Sequence, residues 1–299
     1  MKKILLLTSL ILSFSLLADY SNHEDSQKVI DNLVMNHGFE ESYVIEVLKN
    51  AKRRDEMLIS VAKPAEKTKS WDDYKDIFLT SKRIIEGKKF LNSNFLTLEK
   101  AEKEFGVPKE VIVAIFAIET NFGGNKGSYK VIDSLATLGF DDPRRSKFFR
   151  SELIQFFLLT RERNWNILEI KGSYAGAMGL PQFISSSYRN DAIDYDDDGY
   201  IDLFNSVDDA IGSIGNYLVN RGWKREGKIV TKAYPNKVTK DKYFYKPHES
   251  LTQFIPLTFE ENGEELHFIG DDNFRAIARY NISDVYTMAV YYLAEEYKK

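Results

Sequence analysis

The sequence of 299 residues carries 41 Lys and Arg against 45 Asp and Glu, which gives a formal net charge of −4. This acidic balance argues against nucleic-acid binding as the main function, and a hydrophobic fraction of 43% argues against a disordered chain. Because the chain has no Cys and only 4 His, disulfides and thiolate chemistry are excluded and a multi-His metal site is not expected.

The first 18 residues have the pattern of a secretory signal peptide. Lys2 and Lys3 precede an almost wholly apolar run from Ile4 to Leu17, and Ala18 is a small residue at the expected cleavage point. The run is too short to span a membrane, and no Cys follows it that would carry a lipid anchor. We therefore predict a periplasmic protein that is soluble and not lipidated; the alternative is an uncleaved N-terminal anchor.

Helical patterns follow in chain order. Apolar spacing predicts two helices between Asp19 and Lys52, a short helix capped by Ser70, and a long helix or a helix pair over 80–105. Residues 57–67, which contain Pro64, are expected to form a loop. Further helices are predicted from Pro108 to Glu119, at 133–138, from Pro143 to Glu162, from Pro181 to Asn190, from Ser206 to Arg221 and from Asp284, after the Ser283 cap, to Tyr297.

Residues 227–270 change character. Short β-like runs at 228–231, 242–245 and 266–269 are separated by Pro, Asn and Gly, which is typical of a small β-rich insertion. The predicted class is therefore α+β, mainly α.

One helix ends in a carboxylate that stands out chemically. Every side chain from Val111 to Ile118 is apolar, which predicts a helix buried on nearly all sides, and the pair Gly123-Gly124 is expected to stop it. Glu119 follows this run directly, where desolvation favours a raised pKa and hence the protonated acid that general-acid catalysis requires. The alternative is a helix-terminal Glu that simply reaches solvent. Glu152 and Glu162 are expected to be solvated charges on an amphipathic helix, so Glu119 is the one well-placed candidate for a catalytic carboxylate.

The segment 172–183 is rich in small residues. Gly and Ala around Met178 allow two backbones, or a backbone and a ligand, to approach closely. Gln182 offers both a donor and an acceptor to sugar hydroxyls or amides. A tight packing corner is the alternative interpretation.

An acidic loop at 194–205 matches the first nine positions of an EF-hand loop. Asn205 stands where a bidentate Glu is usual, which weakens the site, although Asp208 or Asp209 can substitute. We predict a structural rather than a catalytic Ca²⁺, against the alternative of a plain acidic turn. The expected ligands are Asp194, Asp196, Asp198, the Tyr200 carbonyl and Asp202.

Several of these motifs occur in an order that closely resembles the soluble-lytic-transglycosylase-B type of murein lytic transglycosylases. The resemblance covers about Trp71 to Leu293 and is most specific between Val111 and Trp223. It implies a lysozyme-like catalytic core in which Glu119 is the single catalytic acid/base and no cofactor is needed for catalysis. The motifs are Ile118–Gly123, Asp133–Leu138, Pro143–Arg145, Gly172–Phe183, the acidic loop and Arg279–Asn281.

The resemblance also implies roles for other residues. Ser173 and Gln182 match polar positions near the acid, although Leu180-Pro181 departs from the related pattern and Pro181 is able to move Gln182. The pair Arg144-Arg145 matches a basic pair associated with peptide or lactyl groups; a helix start is otherwise an unfavourable place for cations. The positions that match the lining of the cleft are Tyr74, Tyr217, Tyr280 and Asn281.

The implied reaction cleaves the β-1,4 bond between MurNAc and GlcNAc in peptidoglycan strands and leaves a 1,6-anhydromuramoyl end. The substrate's acetamido group takes the place of a second carboxylate. One alternative is a hydrolytic muramidase on the same fold, and another is a non-catalytic peptidoglycan-binding envelope protein that would not require Glu119. Other cell-wall enzymes are candidate partners; nucleic acid is not.

The expected organisation has five parts. They are a signal peptide (1–18), an N-terminal helical region packed on the core (19–105), the lysozyme-like core with the EF-hand-like loop (106–226), the β-rich insertion (227–271) and a C-terminal helix that completes the core (272–299).

Overall fold

The protein is described by a computed structural model that covers residues 19–63, 69–233 and 255–299. It is mainly helical with a minor β part, as the sequence predicts. The N-terminal part comprises a 3₁₀ turn (Tyr20–Asn22), α1 (Ser26–Asp31) with a π-helical turn (Asn32–Asn36), α2 (Glu41–Asn50), α3 (Asp55–Ala62), α4 (Trp71–Phe78), α5 (Ser81–Ser93) and α6 (Phe95–Phe105).

The remaining helices include the apolar one, α7 (Lys109–Thr120). The others are α8 (Val131–Asp141), α9 (Ser146–Glu162), α10 (Ser185–Asp191), α11 (Val207–Asn220), α12 (Asp272–Ala278) and α13 (Asp284–Lys298). Helix α7 is buried along its length and packs against α5, α6, α11 and α13. None of the helices in the described ranges is both long and apolar enough to cross a membrane.

Two small antiparallel sheets complete the fold. Strands β1 (Tyr129–Lys130) and β2 (Lys171–Gly172) form one pair. Strands β3 (Val230–Lys232), β4 (Ile255–Glu261) and β5 (Glu264–Gly270) form the other sheet, in the order β3-β5-β4. The predicted run at 228–231 overlaps β3 and the run at 266–269 lies in β5, whereas the run at 242–245 lies outside the described residues.

Helix α4 carries the β4–β5 hairpin. The Trp71 ring lies 5.6 Å from the Phe259 ring, the amide of Asn262 donates to Asp72 at 2.9 Å, and Lys75 pairs with Glu261. The hairpin is therefore joined to α4 by a ring contact, a hydrogen bond and an ion pair.

Local capping signals are confirmed in the structure. The Ser70 hydroxyl accepts from the amide of Asp73, Ser206 accepts from Asp209, and Ser283 accepts from Tyr286. Each bond satisfies one of the amides that a helix N-terminus leaves without an intrahelical partner. The predicted helix pair over 80–105 is also present, with its break at Asn94.

The predicted loop at 57–67 is wrong for its first half, which belongs to α3. Asp55 and Glu56 lie in the first turn of this helix, where negative charge is favourable, and Met57 is fully buried. The helix ends before Pro64, which lies with the rest of the loop outside the described residues.

Glu152 is not a solvated charge, contrary to the expectation from its amphipathic helix. Its side chain is 5% exposed and accepts a hydrogen bond from the amide of Ser186 at 2.9 Å, at the start of α10. Burial raises the pKa of the Glu152 carboxyl. Glu162, by contrast, is partly exposed and forms an ion pair with Arg189 at 2.6 Å.

We expect Glu152→Gln to change how stability depends on pH. Because the pKa of Glu152 is higher in the folded chain than its ordinary value of 4.5, folding takes up a proton between the unfolded and the folded pKa. The wild type should therefore lose stability relative to the variant as the pH rises above the unfolded value and through the folded one. Denaturant unfolding of both proteins over about pH 4 to pH 8 measures this difference.

The exposed Glu99 provides the matched control, since Glu99→Gln changes the same chemistry on a surface helix. A difference between wild type and Glu152→Gln that stays constant over the whole pH range would contradict the burial of a titrating Glu152.

Candidate active site

Glu119 lies in the last turn of α7 and is half-buried. The helix ends at Thr120, and its C-cap residue Asn121 has a φ of 49°, in the left-handed region that Asn tolerates. The expectation that the pair Gly123-Gly124 stops the helix is therefore wrong by two residues. Glu119 lies at the point where the buried helix leaves the core.

Tyr286 of α13 is the direct partner of this carboxyl group. Its hydroxyl donates to Oε1 of Glu119 at 2.6 Å, and its side chain is 1% exposed. Burial and the neighbouring charge of Glu119 raise the pKa of Tyr286 well above 10. The hydroxyl therefore keeps its proton and holds one carboxyl oxygen in a fixed orientation.

Sequence reasoning missed Tyr286. A signal for it existed, because Tyr286 lies four and seven residues before Val290 and Leu293, all on the buried face of α13. A tyrosine on such a face needs a hydrogen-bond partner, but the sequence does not say which one.

Three aromatic rings pack together, and one of them, Tyr280, lies close to Glu119. The Tyr280 ring lies 4.7 Å from the Tyr217 ring and 5.9 Å from the Phe183 ring. Burial and the charge of Glu119 raise the pKa of Tyr280 well above 10, and burial raises the pKa of Tyr217 to about 12. The structure thus brings the predicted Tyr280 close to the predicted acid and packs the predicted Tyr217 against Tyr280.

The hydroxyls of both tyrosines are used within the protein. Tyr280 donates to the carbonyl of Pro181 at 2.5 Å, and Tyr217 donates to the carbonyl of Arg279 at 2.7 Å. Tyr74 is buried on α4, with its ring 4.7 Å from that of Phe78, and lies close enough to Tyr286 to contribute to its raised pKa.

A tight turn at 179–182 faces the end of α7. The amide of Met178 donates to the Phe183 carbonyl at 2.8 Å and the reverse bond measures 3.0 Å, which closes the turn. Gly179 has a φ of 72°, and a Cβ there would overlap the Leu203 carbonyl. The close backbone approach predicted for this glycine-rich segment is confirmed. Thr120 fastens the turn to α7, because its hydroxyl donates to the Leu180 carbonyl at 3.0 Å.

Gln182 has a φ of 51°, which is uncommon for a residue other than Gly. Its Nε2 donates to the carbonyls of Gly179 at 2.9 Å and Lys126 at 3.3 Å. The side-chain amide is therefore fixed through its donors, and its oxygen is left as an acceptor. The predicted helix start at Pro181 is wrong, since this turn delays α10 until Ser185.

Ser173 and Asn281 contribute differently. The Ser173 hydroxyl accepts from the amides of Ala175 at 3.3 Å and Ala177 at 3.1 Å, so it shapes the glycine-rich segment from within. Asn281 follows Tyr280, and its carbonyl accepts from the Ser283 amide at 2.8 Å. Within the described part of the chain its side-chain amide has no hydrogen-bond partner, which leaves it available to a ligand.

Arg144 and Arg145 are exposed at the start of α9, which begins at Ser146 rather than at Pro143. Asp142 accepts from both backbone amides, at 2.7 Å and 3.1 Å, and supplies the negative charge that this helix end favours. The Arg145 guanidinium lies 4.6 Å above the Phe148 ring.

The acidic loop brings three carboxylates together. Carboxylate oxygens of Asp194, Asp196 and Asp209 lie within 4.8 Å of one another. Asp209 therefore offers the carboxylate that Asn205 lacks at the twelfth position of the loop. Asp209 is fully buried, and burial raises its pKa. Hard oxygen donors at this spacing fit Ca²⁺.

The other predicted ligands make local contacts. Asp198 accepts from the Tyr200 amide at 2.7 Å, and Asp202 accepts from the amides of Phe204 at 2.9 Å and Asn205 at 3.0 Å. Their ligand role stays a prediction.

The acidic loop is tied to the turn near Glu119. The amide of Leu180 donates to the Leu203 carbonyl at 2.7 Å, and Lys126 Nζ donates to the Phe204 carbonyl at 2.7 Å. The carbonyl of Lys126 also accepts a hydrogen bond from the Gln182 side chain. Lys126 therefore contacts both the end of the acidic loop and the side-chain amide of Gln182.

Comparison with known proteins gives consistent matches. The model of the Transglycosylase SLT domain family matches residues 21–295. The chain is 35% identical to Escherichia coli membrane-bound lytic murein transglycosylase B over 302 residues, which cover 93% of this chain and 83% of the relative.

Solved structures agree with the sequence match. The lytic transglycosylase SltB1 from Pseudomonas aeruginosa superposes with a TM-score of 0.84 at 38% identity, over 94% of this chain and 99% of that one. The Escherichia coli lytic transglycosylase Slt35, solved in complex with calcium, has a TM-score of 0.82 at 33% identity, over 94% and 95% of the two chains. These matches confirm the resemblance seen in the motifs, and this chain belongs to the SLT-domain transglycosylase family.

Proposed function

We propose that this chain is a peptidoglycan lytic transglycosylase in which Glu119 acts alone as acid and base. The observation that carries the proposal is the half-buried Glu119 at the end of an apolar helix, with one oxygen held by Tyr286 at 2.6 Å. The family membership and the murein transglycosylase activity named for the relative support the reaction class.

The reaction balances without a second carboxylate. Glu119 donates a proton to the glycosidic oxygen between MurNAc and GlcNAc, and the bond to C1 breaks. The 2-acetamido group of MurNAc stabilises the cationic carbon, as in substrate-assisted glycosidases. Glu119 then removes the proton of the C6 hydroxyl, whose oxygen attacks C1. The product carries a 1,6-anhydro ring, and no water is consumed.

The surrounding side chains have roles that follow from their bonds. Tyr286 holds Oε1 of Glu119 in place while the carboxyl group gives up and takes back its proton. The free oxygen of Gln182 and the amide of Asn281 are suited to the substrate's hydroxyl and acetamido groups. The rings of Tyr280, Tyr217 and Tyr74 provide apolar surface for sugar faces.

Ser173 and the pair Arg144-Arg145 complete the proposed binding set, the arginines for lactyl or peptide carboxylates. We also propose 106–226 with 272–299 as the catalytic core. The packing of α13 against α7, together with the Tyr286–Glu119 bond, supports this division because both link residues far apart in sequence.

We further propose export to the periplasm, where peptidoglycan lies. The pattern at 1–18 supports this location, although those residues lie outside the described ranges. Glycan strands are then the partner that the cleft binds; other cell-wall enzymes stay candidate partners.

The form of the product separates transglycosylation from the alternatives. Purified protein acting on intact sacculi should release muropeptides with anhydro ends, which mass spectrometry distinguishes from water-derived reducing ends. Reducing ends would mean a hydrolytic muramidase, and no release at all would favour a non-catalytic binding protein.

We expect Glu119→Gln to abolish turnover without unfolding the protein. Loss of an acid/base group costs about 10²- to 10⁴-fold in rate. Muropeptide release measures the rate, and thermal unfolding measures the fold. Glu110→Gln, in the first turn of the same helix, is the matched control. A Glu119→Gln variant that retains a tenth of wild-type activity would disprove the assignment.

We expect Tyr286→Phe to lower turnover by roughly ten- to a hundredfold, because a hydrogen bond to a charged group contributes about 1.5–3 kcal/mol. Tyr291→Phe on the same helix removes a hydroxyl whose charged neighbours are Glu295 and Lys298, and it should leave the rate unchanged. Equal rates for both variants would show that the Tyr286 contact has no part in the reaction.

We expect Ca²⁺ to stabilise the fold through the acidic loop. At a Ca²⁺ concentration of 100 Kd, binding adds about 2.7 kcal/mol, which raises the Tm by about 5 °C for a chain of this size. The double variant Asp194→Asn/Asp196→Asn should lose this shift and the heat of binding in calorimetry. Asp197→Asn, whose side chain is 88% exposed and outside the carboxylate cluster, should keep both. A wild type with neither heat nor shift would remove the Ca²⁺ proposal.

A further inference from the structure

A cavity of 360 Å³ opens between α5 and the turn that follows Glu119. None of the catalytic or substrate-binding residues proposed above lines this cavity. Asn121 and Phe122, which do line it, follow Glu119 by two and three residues along the chain. Its lining includes two charged, two apolar and two amide side chains, namely Glu86 and Lys89, Phe90 and Phe122, and Asn94 and Asn121.

Among the residues that the structure describes, the two charges have no strong partner. Glu86 and Lys89 are three residues apart on α5, so they project from the same face of the helix. The ion pair of Glu86 is with the 81% exposed Lys82 at 3.8 Å, a surface contact of little energetic weight. Lys89 forms no ion pair with any residue that the structure describes. Both charges are therefore available to a ligand.

The uncharged lining offers hydrogen-bonding and apolar contacts. The Nδ2 group of Asn94 donates to the Phe90 carbonyl at 2.9 Å, which leaves its Oδ1 as a free acceptor. The Phe122 ring lies 5.3 Å from the Phe90 ring. Phe122 has a φ of 58°, a costly conformation for an aromatic residue, and contact with Phe90 helps to keep it there.

We propose that this cavity binds the stem peptide of a peptidoglycan strand whose sugars occupy the cleft at Glu119; the inference rests on the proposed function. A neutral sugar ring needs hydroxyl partners and gains little from two opposite charges. A short peptide that carries a free ammonium and a free carboxylate matches Glu86 and Lys89 together. The amide oxygen of Asn94 suits the peptide's N–H groups, and the phenylalanine rings suit its alkyl side chains.

The site is distinct from the pair Arg144-Arg145, which lies at the start of α9 and offers positive charge alone. The cavity on α5 offers both signs. It therefore favours a zwitterionic segment over a simple carboxylate.

The test compares binding of two glycan fragments to protein in the Glu119→Gln background, so that no turnover disturbs the measurement. The first fragment carries stem peptides, and the second is the same glycan after its peptides have been removed enzymatically. Glu86→Gln/Lys89→Gln should weaken binding of the peptide-bearing fragment by about tenfold and leave the peptide-free fragment within about twofold. The matched control is Glu99→Gln/Lys103→Gln, which neutralises an exposed pair on α6.

Three results would overturn the inference. Equal weakening for both fragments would mean that the cavity binds sugars. No weakening of either fragment would mean that the cavity has no part in binding. If neither fragment bound the protein at all, the proposal that the cleft at Glu119 binds glycan would also be refuted. If the double variant is less stable than its control, the single variants Glu86→Gln and Lys89→Gln are compared in the same way. Failure of the proposed reaction is seen separately, as the absence of anhydro ends from the wild type.

Discussion

The burial of α7 is the constraint on which the site depends. Every side chain from Val111 to Ala117 is buried, at about 1.5–3 kcal/mol for each large apolar group, so the helix cannot slide or rotate without exposing them. Its end is therefore fixed in space, and Glu119 with it. The charge appears where the apolar surroundings stop, and the buried Tyr286 reaches it from α13. Position and orientation of the acid are thus set by packing first and by one hydrogen bond second.

The turn at 179–182 depends on the same helix end. It is held by Thr120 of α7, by Tyr280, and by the backbone of Leu203 at the end of the acidic loop. Each of these bonds uses a backbone carbonyl or amide of the turn, so its side chains are free for other contacts. Gln182 gains a defined acceptor in this way. A cation in the acidic loop would act on this geometry through the Leu180–Leu203 and Lys126–Phe204 bonds.

Much of the fold and part of the site were predictable from local patterns. The apolar periodicity of the helices and the three Ser caps are properties of short segments, and they hold in the structure. The predictions were wrong where contacts between residues far apart in the sequence determine the structure. Residues 57–62 form α3 because Met57 is buried against the rest of the protein. Glu152 faces inward because the start of α10 provides an amide to receive it.

The sequence alone determined that an apolar helix ends in Glu119, that a glycine-rich segment precedes Gln182, and that an acidic loop follows, since these depend on the order of neighbouring residues. Only the tertiary structure decided which groups meet them. Tyr286 lies 167 residues from Glu119 along the chain, and Asp209 lies outside the EF-hand register yet joins Asp194 and Asp196. Such pairings arise when helices pack their buried faces together, and no local spacing encodes which side chain of one face will reach another.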